Sequence, residues 1–287
     1  MAQNPFENAR ALIFGAGRNI GRAVALEFAR RGAAVAVADI DLAGAEETAQ
    51  LIIGAGGKAV AIRCDVTDDD AVTSASSHAI DQLGEIDIVM NNAGVLHSGN
   101  PEDIPTAEWQ RTINCNLMGC VRANNVFMPR MIARGRGHIV NTASVAGLYP
   151  YAIPRIAYAA SKAAIISMSE NLALYLEPLG VRVSCLCPGP TMTTMLQGMK
   201  VFTPDAVMRG PGGELKVISQ EALAVTLADG MRDGRILIPT HGESFDTIRQ
   251  RGDDPDGFVR AKIAAFAAGD SGLPPHWSLE EGPKITN

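Results

Sequence analysis

Tyr158 and Lys162 are the residues of this sequence whose types and spacing bear most directly on chemistry. Four positions apart on a helix, they share one face, one turn above the other. A free phenol ionises near pH 10, so work as a base near neutrality requires a fall of about three pH units, on the order of 4 kcal/mol. An ammonium about 4.5 Å away, at an effective dielectric of about 20, supplies on the order of 3.7 kcal/mol. The pair can therefore support proton transfer. A Tyr-x-x-x-Lys pattern is common in helices, however, and the rest of the chain must decide.

The elements that would hold this pair in place are legible as alternating patterns. Short apolar or β-branched runs over 11–14, 34–38, 59–64, 86–91, 138–142, 181–187 and 235–238 predict strands. Helical patterns fall between them, over 20–31, 42–53, 69–83, 106–133, 156–176 and 219–231. Gly32, Gly84 and Gly180 follow helices, where a left-handed cap suits glycine. Right-handed crossovers then give a doubly wound, seven-stranded parallel sheet of Rossmann type, an α/β fold with helices on both faces. The 287 residues, 47% hydrophobic and 20% charged, suit a single domain with a core over about 8–240. A substrate loop is expected over about 190–215, its Pro/Gly-rich part (203–213) mobile, and a tail over about 241–287 with one helix at 256–268 and a poorly ordered Pro-rich end.

Composition removes several classes. Net charge is −6 with no Lys/Arg run, which argues against nucleic acid and anionic membranes as partners. The first ten residues are polar, no apolar run approaches transmembrane length, and a cytoplasmic location is expected. Five cysteines (Cys64, Cys115, Cys120, Cys185, Cys187) read as reduced, buried thiols, and neither Cys185-x-Cys187 nor the scattered histidines have metal-ligand spacing.

After the first strand, Gly15-Ala16-Gly17-Arg18-Asn19-Ile20-Gly21 opens directly into a helix. Glycines there let backbone N–H groups approach a pyrophosphate at the positive helix end. Asp39 ends the second strand, where a carboxylate accepts both adenosine ribose hydroxyls and repels a 2′-phosphate, favouring NAD over NADP. Arg18 pulls toward NADP, but Asp39 outweighs it because Arg18 can simply pair with that carboxylate. Asp65 and Val66 follow the third strand, with Asp65 placed for the adenine amino group. Asn91-Asn92-Ala93-Gly94 follow the fourth and put small residues where backbone passes the cofactor. Together these positions outline one crevice at the carboxyl ends of the strands.

This ensemble resembles the short-chain dehydrogenase/reductase family over roughly Ala11 to Thr194. The matching pieces are the glycine loop, Asn91-Asn92-Ala93-Gly94, Asn116-Leu117-Met118-Gly119, Ser144, Tyr158-x-x-x-Lys162 and Pro188-Gly189. Phe14 and Asn19 depart from the family's usual Thr and Gly, and Asn tolerates the left-handed conformation that the loop requires. The resemblance implies a tetrad. Tyr158 would exchange a proton with the substrate oxygen, Lys162 would favour the phenolate and hold the nicotinamide ribose, Ser144 would polarise the substrate oxygen, and Asn116 would anchor a water linking Lys162 to solvent. Backbone near Pro188, Gly189 and Thr191, with the Thr193 hydroxyl, would orient the carboxamide and phosphates. Asn114 competes with Asn116, and Thr142 and Ser161 with Ser144. The family's pairing of long helices implies a homodimer or homotetramer.

The chemistry itself agrees with that assignment: hydride transfer from an alcohol carbon needs a base for the hydroxyl proton and a fixed nicotinamide face. The expected reaction is interconversion of a secondary alcohol and a ketone. Tyr149, Tyr151 and Met195, with Met192, Met199 and Phe202, suggest a bulky or aromatic substrate, or simple packing under the loop. The tail departs from the common family ending and is similar to that of dehydrogenases of bulky aryl alcohols. Competing readings are a 3-oxoacyl-thioester reductase using NADPH, which fits Asp39 and the tail less well, an isomerase or dehydratase that retains its NAD, and a non-catalytic NAD-binding sensor or scaffold.

Overall fold

Apolar runs that alternate with amphipathic stretches build a seven-stranded, all-parallel sheet in the order β3-β2-β1-β4-β5-β6-β7. The strands are β1 (Arg10–Phe14), β2 (Ala34–Asp39), β3 (Ala59–Arg63), β4 (Ile88–Asn91), β5 (Gly137–Thr142), β6 (Val181–Cys187) and β7 (Leu237–Pro239). This computed structural model describes residues 4–274 and the backbone of 277–278 and 282–283; the rest of the Pro-rich end lies outside the described residues.

Both faces of the sheet are covered, which is why its central strands read as continuous hydrophobic runs rather than alternating ones. Ile13, Val35 and Val37 pack with Val24 and Phe28 of α1 (Asn19–Arg30), Ala49 and Ile52 of α2 (Leu42–Gly54) and Leu223 and Leu227 of α7 (Gln220–Arg232) on one face. Leu12, Phe14, Ala36 and Ala38 point the other way, toward Ala79 of α3 (Asp69–Leu83) and Phe127 of α5 (Gly119–Arg134). β1 pairs with β2 on one side and β4 on the other. The direction of chain progression reverses there, and the carboxyl ends of the strands part into a crevice. Gly32, Gly84 and Gly180 all have positive φ, Gly180 in the left-handed helical region.

The helix expected over 106–133 is not continuous. It divides into α4 (Thr106–Ile113), a π-helical turn (Asn114–Met118) and α5. Such an insertion widens the helix, and π turns concentrate at functional sites. The tail contains α8 (Ser244–Asp253) as well as α9 (Pro255–Ala267), two helices where the pattern predicted one. α8 was obscured by its strongly polar composition, since only Ser244 and Thr247 are buried. The stretch over 203–213 is irregular but tied down. Gly210 and Gly212 donate backbone hydrogen bonds to Ser271 and Gly272, and Phe202 donates to Ser98.

Candidate active site

A cleft of about 700 Å³ runs along the carboxyl ends of the strands, from Asp39 at one end to Leu273 at the other. Its first wall is the loop between β1 and α1. Gly15 has φ 78°, and a Cβ there would lie 2.6 Å from the Ala93 nitrogen, so only glycine lets the two loops meet. Gly21 is likewise forced, because a Cβ would fall 1.9 Å from the Gly15 carbonyl oxygen. Gly17 and Gly21 therefore shape this wall without lining the cleft. Asn19 adopts φ 51°, the left-handed conformation expected of an Asn in that place. Its Oδ1 accepts from the Thr194 N–H and hydroxyl, both at 3.1 Å, linking the glycine loop to the loop after β6. No side chain caps the start of α1, so its first N–H groups are available to an anion.

The expected Arg18–Asp39 pair does not form. Asp39 Oδ2 accepts the Gly17 N–H at 2.8 Å and Oδ1 accepts the Asp41 N–H at 3.0 Å, while Arg18 stands exposed at the cleft mouth. Backbone N–H groups sit closer to the carboxylate than a flexible guanidinium must, and they satisfy it first. Asp65 and Val66 line the same end, with Asp65 Oδ1 held by the Thr67 N–H and hydroxyl. Asn92 donates to the Gly15 carbonyl at 2.8 Å, fastening β4's end to the loop, and Ala93 and Gly94 continue the wall.

Tyr158 and Lys162 lie on α6 (Ile156–Leu176) and both face the cleft. Lys162 is 3% exposed; its Nζ donates to the Thr142 carbonyl at 2.7 Å and sits 5.5 Å from the Tyr158 ring centre. Ser144 caps a one-turn helix (Val145–Leu148), its Oγ accepting the Ala146 N–H at 3.1 Å and lying 3.4 Å from the Pro188 carbonyl, to which it donates. That turn packs on α6 through Gly147, where a Cβ would be 2.6 Å from both the Ala163 nitrogen and the Lys162 carbonyl carbon. Glycine thus sets the separation between Ser144 and the Tyr158–Lys162 pair.

Asn116 sits just behind the cleft, 1% exposed on the π turn. Its Oδ1 accepts the Val95 N–H at 2.8 Å, and its Nδ2 donates to the Val95 carbonyl at 3.1 Å and to Ser161 Oγ at 3.0 Å. Both amide hydrogens are consumed, so the side chain is a clamp rather than a water donor. Asn114 turns away and accepts from Arg122. Thr142 gives its carbonyl to Lys162 and its hydroxyl to Asn92 Oδ1 at 3.3 Å, and Ser161 is buried and donates to the Tyr158 carbonyl, so both hydroxyls are committed elsewhere.

Across the cleft, Pro188, Gly189, Thr191 and Thr193 line the loop after β6. Gly189 donates to Thr240 Oγ1 at 2.9 Å, and His241 braces it with one ring nitrogen 2.9 Å from Thr240 Oγ1 and the other 2.6 Å from the Lys216 carbonyl. The unusual chain end after β7 thereby supports this loop. Of the residues expected to meet substrate, Tyr151 and Met195 line the cleft, but Tyr149 does not. Tyr149 is 1% exposed and packs edge-on against Phe258 of α9, ring centres 6.4 Å apart. Burial pushes its phenol up to about 12, and its hydroxyl faces Ser244 and Thr247 without completing a hydrogen bond. It is a core residue holding the tail, which period and composition alone do not reveal. Burial also raises the Tyr151 phenol, partly offset by the Arg155 charge.

All five cysteines are free thiols. Four are buried, whereas Cys115 is half-buried and reaches the cleft. Burial raises Cys64 and Cys120 to about 12. Among the described residues no cluster has the makings of a metal site, and no helix is long and apolar enough to cross a membrane.

Residues 9–201 match the profile of the short chain dehydrogenase family. The chain belongs to that family. A 1-deoxy-11-beta-hydroxypentalenate dehydrogenase from Streptomyces exfoliatus is 34% identical over 247 residues, 85% of this chain and 87% of the relative. A cyclohexanol dehydrogenase from Acinetobacter sp. is 34% identical over 195 residues, covering 67% of this chain and 77% of that one. The crystal structure of a short chain dehydrogenase/reductase from Burkholderia phymatum in complex with NAD superposes with a TM-score of 0.78 at 27% identity, over 96% of this chain and all of that one.

Several residues of this short-chain dehydrogenase were not singled out by sequence. Gly147 is one; the run of small residues after Ser144 is the signal for its close packing. Arg155, a lone charge in the apolar stretch before Tyr158, is another, and Leu273 of the tail is a third.

Proposed function

We propose that this short-chain dehydrogenase is an NAD-dependent oxidoreductase interconverting a bulky secondary alcohol and its ketone. The observation that carries the reading is one cleft into which Tyr158, Lys162 and Ser144 open beside a glycine loop and the Asp39 carboxylate. The residues present fit a dinucleotide. Gly15 lets the glycine loop close against Ala93 into one smooth wall, the uncapped start of α1 offers N–H donors to a pyrophosphate, and Asp39 suits ribose hydroxyls better than a 2′-phosphate. Bound NAD would supply a hydride acceptor or donor.

The chain's own residues handle the proton and the orientation. Tyr158 exchanges a proton with the substrate oxygen as general acid or base, a role worth about 10²–10⁴-fold. Ser144 donates to the same oxygen, turning its hydrogen from the distant Pro188 carbonyl. Lys162, fixed by the Thr142 carbonyl, brings positive charge to the phenol and donors to a ribose. Since the Asn116 amide is saturated, a water in the relay would share its main-chain carbonyl with the Cys120 thiol, which donates to it at 3.1 Å. Pro188, Gly189, Thr191 and Thr193 orient the cofactor's reactive end.

The whole chain serves as one catalytic unit, with the tail closing the substrate end. The relatives named for a hydroxypentalenate and for cyclohexanol support an alicyclic secondary alcohol. Copies are expected to pair as a homodimer or homotetramer. Leu174 and Tyr175, 77% and 63% exposed on α6, support that arrangement. The test is NADH formation from NAD⁺ over a panel of alicyclic and aryl secondary alcohols. Turnover is expected with NAD well above NADP. Tight NAD binding without turnover of any alcohol or ketone would instead identify a sensor.

A further inference from the structure

Arg155 immediately precedes α6, three residues before Tyr158, and both line the cleft. Its Nη2 donates to the Arg209 carbonyl at 3.0 Å, which fixes the direction of the guanidinium fork. Its Nε is buried and has no hydrogen-bond partner, and among the described residues no carboxylate pairs with it. The other two guanidiniums on this wall are engaged. Arg111 forks onto Glu108, and Arg209 donates to the Asp270 and Phe266 carbonyls while stacking on the Phe266 ring. The carboxylates lining the cleft, Asp39 and Asp65, are at its far end beside the glycine loop.

Because Nε is closed even to water, a ligand in the cleft meets the outer edge of the fork, Nη1, which has no partner among the described residues, with the remaining hydrogen of Nη2. The planar fork of an arginine is best completed by two parallel N–H···O bonds to a carboxylate. A neutral hydroxyl or ketone oxygen supplies neither the charge nor the second acceptor. Tyr151 and Met208 line the same cleft and offer apolar surface to the body of the molecule. We infer that Arg155 binds a carboxylate of the substrate, so that the alcohol or ketone is a hydroxy- or oxo-carboxylate anion. This rests on the dehydrogenase reading above for the reaction, but not for the binding.

The test compares 4-hydroxycyclohexanecarboxylate with its methyl ester, and measures cyclohexanecarboxylate binding to the full chain by calorimetry with and without NADH. The wild type is expected to favour the acid over the ester in kcat/KM by at least about tenfold, and Arg155→Met to lose most of that ratio. Arg155→Lys keeps a charge and a donor for the Arg209 carbonyl, and should fall between because it lacks the fork. Equal use of acid and ester by the wild type, or a ratio unchanged in Arg155→Met, overturns the inference. If no alcohol is oxidised at all, the binding arm still decides. Carboxylate affinity that drops at least about tenfold in Arg155→Met upholds the site and counts against the reaction, whereas affinity unmoved by the substitution, absent, or weaker than that for inorganic phosphate overturns it.

Discussion

Gly147→Ala tests how the active-site geometry is set. A Cβ at this position would stand 2.6 Å from the Ala163 nitrogen and the Lys162 carbonyl carbon. Ordinary contact begins at 3.4 Å, so the turn carrying Ser144 must back off α6 by roughly 0.8 Å. Both neighbours are backbone, and neither can swing aside as a side chain would. Overpacking of this kind costs about 1–3 kcal/mol, which at roughly 2–4 °C per kcal/mol lowers Tm by about 2–12 °C. The effect on activity is larger. A misplacement near 1 Å between reacting groups costs about 10²-fold in kcat, while NAD affinity should change less than about threefold because Gly147 does not line the cleft. The assay is kcat at saturating NAD, well below the variant's Tm, beside circular-dichroism melting and an NAD titration. A folded variant with kcat within about threefold of wild type would refute the claim that this contact positions Ser144 for catalysis.

Other outcomes follow from single groups. Asp39→Ala should narrow the preference for NAD over NADP by at least about tenfold in kcat/KM; a wild-type enzyme that already prefers NADP would show that exposed Arg18 governs the choice. His138 is neutral in the fold, because burial lowers it from 6.5 to about 3, and the Arg182 charge adds to this. The unfolded chain binds that proton first as pH falls, so the stability from this site is present above about pH 6.5 and lost on the way to pH 3. His138→Gln, which keeps a polar atom for Ser184, should therefore gain about 3 kcal/mol on wild type between pH 7 and pH 4 in denaturant unfolding. Parallel pH profiles for the two proteins would contradict this.

The fold was almost wholly legible because its strands are buried on both faces and leave apolar runs with glycine-punctuated ends. α3 (Asp69–Leu83), α6 (Ile156–Leu176) and β6 (Val181–Cys187) fall where the pattern places them. The π turn escaped notice, since a one-residue widening leaves hydrophobic periodicity nearly intact over 106–133. Within the site, type and spacing point to Tyr158, Lys162 and the glycine loop, and the family resemblance adds Ser144; all of them reach or shape the one cleft. Arg18 reaches the cleft, but its pairing with Asp39 fails because spacing does not show that the Gly17 N–H reaches that carboxylate first. Tyr149 was misjudged because an aromatic beside a site and an aromatic under a tail look alike in sequence; only α9 packing on it tells them apart. Asn116 sits on the π turn behind the cleft, and its amide partners, Val95 and Ser161, are distant in sequence and appear only in the folded chain.

The central claim is that Tyr158 moves the proton in hydride transfer between an alcohol and NAD. Its most direct measurement is single-turnover NADH formation by wild type and Tyr158→Phe, with the same alcohol and saturating NAD. The variant keeps the ring, and Lys162 keeps its bond to the Thr142 carbonyl. The rate should fall by at least about 10²-fold with NAD affinity nearly unchanged. A Tyr158→Phe enzyme that forms NADH at close to the wild-type rate would contradict the account.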